Sequence, residues 1–345
     1  PGFIGVGLTP FLCFLLFWAI NLYFIWKGTE SIKWLETACA PFLILCGLAL
    51  LFWAIQKADG LGPILTTPSR FDSVQTFWAF FVPGLTGMVG FWATLSLNIT
   101  DFTRYAANQK SQIVGQALGL PTTMTLFAFI GIVVTSATLV LYGEAIWDPV
   151  LLVRRFDSPL IVFISMFAVL MATLSTNVAA NVVGPANDFS NLKPSKISFK
   201  MGGFITGILG ILMMPWKLVA DPSGYIFTWL IGYSALLGPI GGILLVDYYL
   251  LRRCELVVDD LYRRGGIYWY RNGINGKAVA ALLLGVLPNA PGFLSQIGIL
   301  DLSRAPVFVS LYHYAWFIGF FLSGAVYYLF SRVSVIEKGT EEVTA

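Results

Sequence analysis

The chain has 345 residues, of which 57% are hydrophobic and only 11% are charged. Because a soluble domain carries about 25% charged residues, this composition, with a mean hydropathy of +0.78, predicts an all-α integral membrane protein. The formal net charge of +3 is too small to indicate a nucleic-acid partner. The four cysteines form no CxxC pair and no His/Cys cluster, so we expect no disulfide framework, no zinc site and no cofactor.

Nine apolar runs are long enough to cross about 30 Å of hydrocarbon. They lie at residues 11–26, 36–55, 78–98, 119–142, 159–183, 200–216, 226–250, 277–297 and 311–330. No soluble domain interrupts them, and the longest polar connection, residues 251–276, is predicted to be a loop. We therefore expect residues 1–345 to form a single transmembrane domain.

The basic residues predict the orientation of these spans. Fifteen of the 21 Lys and Arg residues fall in loops on the side that carries the C-terminus. By the positive-inside rule, that side, including the loop 251–276, is cytoplasmic. We expect a multi-pass protein of the plasma membrane, in bacteria the inner membrane. Since the chain begins Pro1-Gly2-Phe3 without a Met, we also expect the true N-terminus to lie upstream.

Four helix-breaking residues crowd the third run: Pro83, Gly84, Gly87 and Gly90. Pro removes a helix hydrogen bond, and Gly weakens a helix by about 1 kcal/mol relative to Ala. An interrupted helix survives in lipid only where its freed backbone lines a cavity. The run therefore predicts a break just before Phe91 and Trp92, at a transporter site. Close helix packing by small residues is the alternative.

The fifth run ends in a cluster of polar residues, within the stretch MATLSTNVAANVVGPANDFSNLKP at 171–194. On a helix that turns about 100° per residue, one side carries Ala172, Ser175 and Thr176. The roughly opposite side carries Asn177 and Asn181. Polar groups at membrane depth are costly unless paired, and they face a bundle interior or a cavity. The two faces predict a binding site, with hydrogen bonding between helices as the alternative.

The seventh run contains five helix breakers: Gly232, Gly238, Pro239, Gly241 and Gly242. Such a helix bends easily, which suits a gate, although a static kink would use the same residues. Near its end, Asp247 is expected to neutralise Arg252 or Arg253.

Enzyme motifs are absent from the sequence, which contains no HExxH, no GxSxG and no P-loop. The single histidine, His313, opens the last run, where we expect it to pack at the interface. No carboxylate is expected in a span interior, so intramembrane proteolysis by a pair of aspartates has no support. We predict that the protein is not an enzyme.

Four long strings resemble nucleobase–cation symport family 1, in particular its bacterial hydantoin, allantoin and uracil permeases. They are NLYFIWKGTESIKWLE, GFWATLSLNITDFTRYA, LSTNVAANVVGPANDFSNLKP and YSALLGPIGGILLVDYY. The resemblance implies a LeuT-type inverted-repeat fold of twelve spans, of which this chain resembles spans four to twelve. The first three spans would then lie upstream.

The resemblance also implies a sodium site on the fifth run. The family's ligands correspond to the Ala172 carbonyl and to the Ser175 and Thr176 hydroxyls. Sodium is a hard cation that takes oxygen ligands, by the logic that gives calcium its carbonyls and carboxylates. A site of hydroxyls and carbonyls is neutral, so a bound sodium ion would carry its charge across the membrane.

The family's substrate contacts correspond to four further residues. Its carboxamide falls on Asn181, with Asn177 in support. Its aromatic residue falls on Trp92, preceded by Phe91 where the family has glycine. An amide that donates and accepts, together with an indole face for stacking, suits a planar neutral heterocycle.

These residues predict a sodium-coupled symporter that imports a neutral nucleobase-like or hydantoin-like ring by alternating access. We expect it to work in the lipid bilayer, as a monomer when full-length. One alternative is a proton-coupled permease, which needs a titratable group in a span, and none is expected mid-span here. The other is a non-transporting membrane receptor with the same fold.

Overall fold

The structure is a computed structural model that describes residues 5–66, 68–221 and 224–344. Within these ranges the regular structure is helical, and the β pairing is limited to one isolated bridge between Arg271 and Ile274. The predicted all-α class is confirmed. Residue contacts divide the chain into two compact units, Pro1–Arg70 with Thr100–Trp216 and Phe71–Ile99 with Lys217–Ala345.

The helices are numbered in chain order. The first six are α1 (Leu8–Lys27), α2 (Thr29–Lys57), α3 (Leu61–Leu65), α4 (Val74–Trp92), α5 (Leu95–Asn98) and α6 (Thr100–Thr103). The next six are α7 (Gln109–Tyr142), α8 (Pro149–Val153), α9 (Pro159–Asn177), α10 (Gly184–Leu192), α11 (Phe199–Leu212) and α12 (Pro215–Val219). The last six are α13 (Ile231–Leu245), α14 (Val258–Leu261), α15 (Gly276–Val286), α16 (Ala290–Gln296), α17 (Val307–His313) and α18 (Ala315–Thr344).

Wider or tighter turns join some of these helices. Three π-helical turns lie at Val178–Val183 between α9 and α10, at Tyr225–Leu230 before α13 and at Val246–Leu251 after it. A 3-10 turn, Leu287–Asn289, joins α15 to α16.

The predicted apolar runs all fall on helices, but not all of these helices are long enough to span. Among the described residues, seven helices are long and apolar enough to cross a membrane, and the bent pair α17–α18 can count as an eighth. The run 200–216 falls on α11, which has 14 residues. Its rise of about 21 Å is short of the roughly 30 Å of hydrocarbon. Within the described residues the structure therefore supports seven spans, or eight with the bent pair, where the sequence predicts nine.

The first unit buries two apolar clusters. One lies between α2, α3, α7 and α8, around Ala54 and Ala137. The other joins α1, α2 and α9 with its π-helical turn, around Ile25, Leu35 and Val178. The second cluster thus packs the end of α9, which carries the polar stretch, against α1 and α2.

The second unit is held together by close packing of α13 on α18. A Cβ added at Gly238 or Gly242 would overlap the backbone carbonyl of Trp316 or Phe320, respectively. The helix is continuous from Phe227 to Leu251 over 25 residues. These two glycines therefore allow α13 and α18 to pack closely, whereas the sequence pattern suggests that they form a gate or a kink.

The predicted break in the third run is displaced. Helix α4 continues through Pro83 and Gly90 and ends only at Trp92. A Cβ at Gly90 would overlap the Ser234 hydroxyl and the Leu230 carbonyl region. Gly90 therefore allows the segment that carries Leu230 and Ser234 to pack closely against α4. The irregular segment begins only after Phe91 and Trp92.

A bend of 88° that the sequence pattern does not predict separates α17 from α18. The Thr86 hydroxyl donates to the His313 carbonyl at 2.5 Å. The Asn289 amide donates to the Ala315 carbonyl at 3.1 Å. Side chains of α4 and of the turn before α16 thus supply bonds to the backbone at the bend, as a broken helix in lipid requires.

The predicted neutralisation of Asp247 is confirmed, with Arg252 as the partner. The Arg252 Nε lies 2.5 Å from Asp247 Oδ2, and the Tyr327 hydroxyl donates to Oδ1 at 2.8 Å. The guanidinium also stands 4.4 Å from the centroid of the Tyr268 ring. Burial acts to lower the pKa of Arg252, but the hydrogen bond and charge of Asp247 outweigh it, so this pKa is raised from its ordinary value.

Candidate functional site

The polar stretch of the first unit lies on the last turn of α9 and in the π-helical turn that follows. Ser175 is buried, at 3% exposure. Asn177 is half-buried, whereas Thr176 and Asn181 are exposed. A π-helical turn is rare and occurs frequently at functional sites. Here it carries Asn181 within its six residues, Val178–Val183.

The carboxamide face is organised as a chain of three asparagines. The Asn181 Nδ2 donates to Asn177 Oδ1 at 2.9 Å, and the Asn177 Nδ2 donates to Asn21 Oδ1 at 3.0 Å. The Asn21 Nδ2 donates in turn to the Phe17 carbonyl at 2.8 Å. The structure thus brings Asn177 and Asn181 together, and it adds Asn21 from α1. The signal for Asn21 was a lone asparagine inside an apolar run, which is costly in lipid unless paired.

The hydroxyl face carries the predicted sodium ligands. The Ser175 hydroxyl donates to the Ala172 carbonyl at 3.3 Å, so two of the three predicted ligands are in contact. Thr176 follows directly, with its side chain exposed. Hydroxyl and carbonyl oxygens are suitable ligands for a hard cation. The assignment of sodium to these three residues stays a prediction.

The predicted aromatic contacts lie in the second unit, at the C-terminal end of α4. The Phe91 and Trp92 rings meet edge to face, with centroids 5.4 Å apart and planes at 78°. Both side chains are exposed, Trp92 by 39%, so the indole offers surface for stacking. The substrate role of Trp92 and Phe91 stays a prediction.

A half-buried carboxylate lies near the start of one of the membrane-spanning helices. Glu36 lies within α2, a helix long and apolar enough to cross a membrane. Its Oε1 atom is buried and has no hydrogen-bond partner among the residues that the structure describes. Glu36 is the first residue of the run 36–55 and lies in the first third of α2, so the expectation that no titratable group lies mid-span stays a prediction.

Comparison with protein families gives a match over residues 1–319 to the permeases for cytosine/purines, uracil, thiamine and allantoin. The chain belongs to this family, nucleobase–cation symport family 1. The chain is 45% identical over 332 residues to the allantoin permease of Bacillus subtilis. It is 44% identical over 328 residues to the purine-uracil permease NCS1 of Arabidopsis thaliana.

A solved structure of the same family shares the fold. The chain resembles Mhp1, a nucleobase-cation-symport-1 family transporter in a closed conformation with bromovinylhydantoin bound, with a TM-score of 0.68 and 26% identity. The match covers 92% of this chain and 66% of Mhp1. The predicted LeuT-type fold is confirmed, and the chain is a multi-pass membrane protein.

The lengths of these relatives exceed that of the chain. The alignments cover 96% of the chain and 65% of the Bacillus permease, and 94% of the chain and 54% of the Arabidopsis permease. All of these relatives are named as permeases or transporters, which agrees with the prediction that the protein is not an enzyme.

Proposed function

We propose that the protein is a sodium-coupled symporter that imports a neutral nucleobase-like or hydantoin-like ring by alternating access. It would act as a monomer in the plasma membrane, with its C-terminus in the cytoplasm. One observation carries the proposal. A single helix presents an exposed carboxamide, Asn181, and about one and a half to two and a half turns earlier the oxygens of Ala172, Ser175 and Thr176.

The ring half of the proposal rests on hydrogen-bond complementarity. A carboxamide both donates and accepts, and a cyclic amide or ureide presents an N–H beside a C=O along its edge. Neither partner carries a charge, so the pairing needs no counter-ion. The exposed Trp92 indole offers a face on which such a planar ring can stack. The relatives named for allantoin and uracil support this substrate class, as does the relative solved with bromovinylhydantoin bound.

The proposed coupling to sodium depends on the charges of the candidate ligands Ala172, Ser175 and Thr176 and of the ring. The three candidate ligands are neutral, and the ring is neutral, so each cycle would move about one positive charge inward. One charge crossing the membrane corresponds to about 2.3 kcal/mol per 100 mV, roughly a fiftyfold gain in accumulation. Uptake is therefore expected to be electrogenic and stimulated by an inside-negative potential.

Ring binding at varied sodium concentration tests the proposal. The protein, expressed from its complete open reading frame and purified in detergent, is titrated with radiolabelled uracil, allantoin or hydantoin. Sodium is raised in one series and choline at equal ionic strength in the other. We expect sodium alone to tighten ring binding, and the ring to tighten sodium binding by the same factor. Equal affinity in both series would overturn sodium coupling.

A proton-coupled permease is the second candidate, and Glu36 favours it. Glu36 is a carboxyl group on a membrane-spanning helix, and one of its oxygens is buried without a partner among the described residues. It is a candidate proton-binding group, since such groups mark proton pathways in transporters. In this case ring binding would respond to pH and not to sodium. Glu36→Gln would remove the pH response and leave the folded protein able to bind the ring.

Ligand-induced thermal stabilisation without uptake in cells would identify a non-transporting receptor.

A further inference from the structure

The position of Asn21 is fixed by the way α1 packs in the first unit. Asn21, Leu22 and Ile25 form the buried stripe of this helix, and Asn21 is only 4% exposed. Helix α11 approaches the same face closely. A Cβ added at Gly203 would overlap the Ile25 side chain, and the Trp18 indole donates to the Gly207 carbonyl at 2.9 Å. The Asn21 amide is therefore held by tight packing on both sides along the helix.

The backbone sets the direction of the asparagine chain. The Phe17 carbonyl can only accept a hydrogen bond, so the nitrogen of the Asn21 amide must face it. The Asn21 oxygen then faces Asn177, whose nitrogen must donate to it. The Asn177 oxygen in turn faces the nitrogen of Asn181. Reversing any one amide would bring two acceptors or two donors together, which leaves buried polar groups unpaired.

This direction decides what Asn181 offers to a ligand. One of its N–H groups is used by Asn177. Its other N–H and its oxygen make no hydrogen bond to another described residue, and the residue is exposed. Without the chain behind it, the Asn181 amide could rotate by half a turn and exchange the positions of donor and acceptor. A ring with an adjacent N–H and C=O would then have to bind the other way round.

We propose that Asn21 is a positioning residue for the substrate site, which acts through Asn177 to hold the Asn181 amide in one orientation. The proposal rests on the proposed function, since it assumes that Asn181 binds the ring. It concerns the orientation and the affinity of the ring, and it requires no contact between Asn21 and the ring itself.

A double-mutant cycle tests this role in the protein expressed from its complete open reading frame. The probe is whichever of uracil, allantoin and hydantoin binds most tightly, measured in detergent at saturating sodium. Asn21→Leu is expected to weaken its binding by roughly tenfold, the size of one net hydrogen bond. In the Asn181→Ala background the same substitution is expected to have no further effect, because the amide that it orients is gone.

Two further variants separate positioning from a general disturbance of α1. Asn21→Asp keeps an oxygen that accepts from Asn177, and its protonated carboxyl keeps a donor for the Phe17 carbonyl. In that form it should retain most of the affinity, and it remains informative if Asn21→Leu does not fold. Leu22→Met, at the neighbouring position of the same buried stripe, conserves volume and should bind the probe like the unmodified protein.

The possible results have distinct consequences. Wild-type affinity in folded Asn21→Leu would overturn the role of Asn21. Equal losses from Asn21→Leu with and without Asn181→Ala would also overturn it, because the effect would then not pass through Asn181. Indifference of ring binding to Asn181→Ala would instead remove the substrate contact of the proposed function, and the role of Asn21 with it.

Discussion

Two regions of the molecule bury amide and hydroxyl groups between helices, and they differ in where their hydrogen bonds end. In the second unit, the hydrogen bonds end at the backbone. The Thr86 hydroxyl donates to the His313 carbonyl, and the Asn289 amide donates to the Ala315 carbonyl. Thr86 and Asn289 are both fully buried, so the oxygen that Asn289 leaves unpaired among the described residues is closed to a ligand.

In the first unit, the bonds pass from one side chain to the next. They begin at a backbone carbonyl beside Asn21 and run through Asn177 to Asn181, whose side chain is exposed. Among the described residues, none uses the oxygen or the second N–H of the last amide, which leaves both for another molecule.

This difference separates two uses of polar residues in membrane helices, interhelical bonding and binding. Residue type alone does not separate them, since both regions use Asn and Thr or Ser. What separates them is whether the hydrogen bonds close on the backbone or continue to an exposed group. Mutation of the buried polar groups Thr86 and Asn289 in the second unit should therefore act mainly on stability, and mutation of the asparagine chain in the first unit mainly on ligand binding.

The largest effect is expected for packing in the second unit. Gly242→Ala should lower the free energy of unfolding by about 3 kcal/mol, the upper part of the usual cost of overpacking, because the added methyl overlaps the rigid Phe320 carbonyl. Gly241→Ala is the matched control, since its Cβ would lie 3.6 Å from the nearest atom. That control should be neutral or stabilising, because Ala is the better helix former. Thermal unfolding in detergent measures both, and equal midpoints for the two variants would contradict close packing at Gly242.

The second effect concerns ring binding. Asn181→Ala should weaken binding of the ring by about 2 kcal/mol, within the cost of leaving a buried polar partner unpaired, with little change in unfolding. Trp92→Ala should lose a comparable amount of stacking and burial, and Trp92→Phe should lose less because it keeps an aromatic face. Equilibrium binding with the purified protein checks all three variants. Unchanged affinity in both alanine variants, with folding verified, would place the site elsewhere.

The third effect returns to the bend between α17 and α18. Thr86→Val removes the hydroxyl that donates to the His313 carbonyl and should destabilise the protein by about 1.5 kcal/mol, the cost of one unpaired buried group. Thr86→Ser keeps the hydroxyl and is the control. The ring affinity of the folded fraction should be the same in both variants. A loss of ring affinity larger than the loss of stability would mean that this region also belongs to a binding site.

The polar stretch at 171–194 could be predicted because its evidence is local. Four polar residues within seven positions of one apolar helix are unusual in lipid, and the helical repeat sorts them into faces without any knowledge of neighbours. Asn21 received no role from the sequence because its partner Asn177 lies 156 positions away. A single asparagine indicates that a partner exists and gives no indication of which residue it is.

The glycines show why the breaks in helices were misplaced. Glycine permits a bend and also permits close approach, and the sequence does not distinguish the two. Gly90 is explained by Ser234 on a helix far along the chain. The real bend falls between His313 and Ala315, where neither Gly nor Pro stands. Bonds from distant side chains stabilise this bend, and such bonds leave no local signal.

The smallest effect is expected for the sodium ligands, because each contributes one oxygen among several. Thr176→Ala should raise the sodium concentration for half-maximal ring binding by roughly three- to tenfold, the range of one net polar interaction. Ser175→Ala should act in the same direction. Thr176→Ser keeps the oxygen and should stay within about threefold of the unmodified protein by the same scale.

Stability helps to interpret these sodium titrations. Ser175 is buried and bonded to the Ala172 carbonyl, so Ser175→Ala should also lower the unfolding midpoint without sodium. Thr176 is exposed, so Thr176→Ala should leave that midpoint unchanged. It should alter only the stabilisation that added sodium provides, since a ligand that binds the folded state more weakly stabilises it less. If Thr176→Ala instead left the sodium requirement unchanged and lowered the midpoint, the hydroxyl face would serve interhelical bonding, as Thr86 does in the second unit.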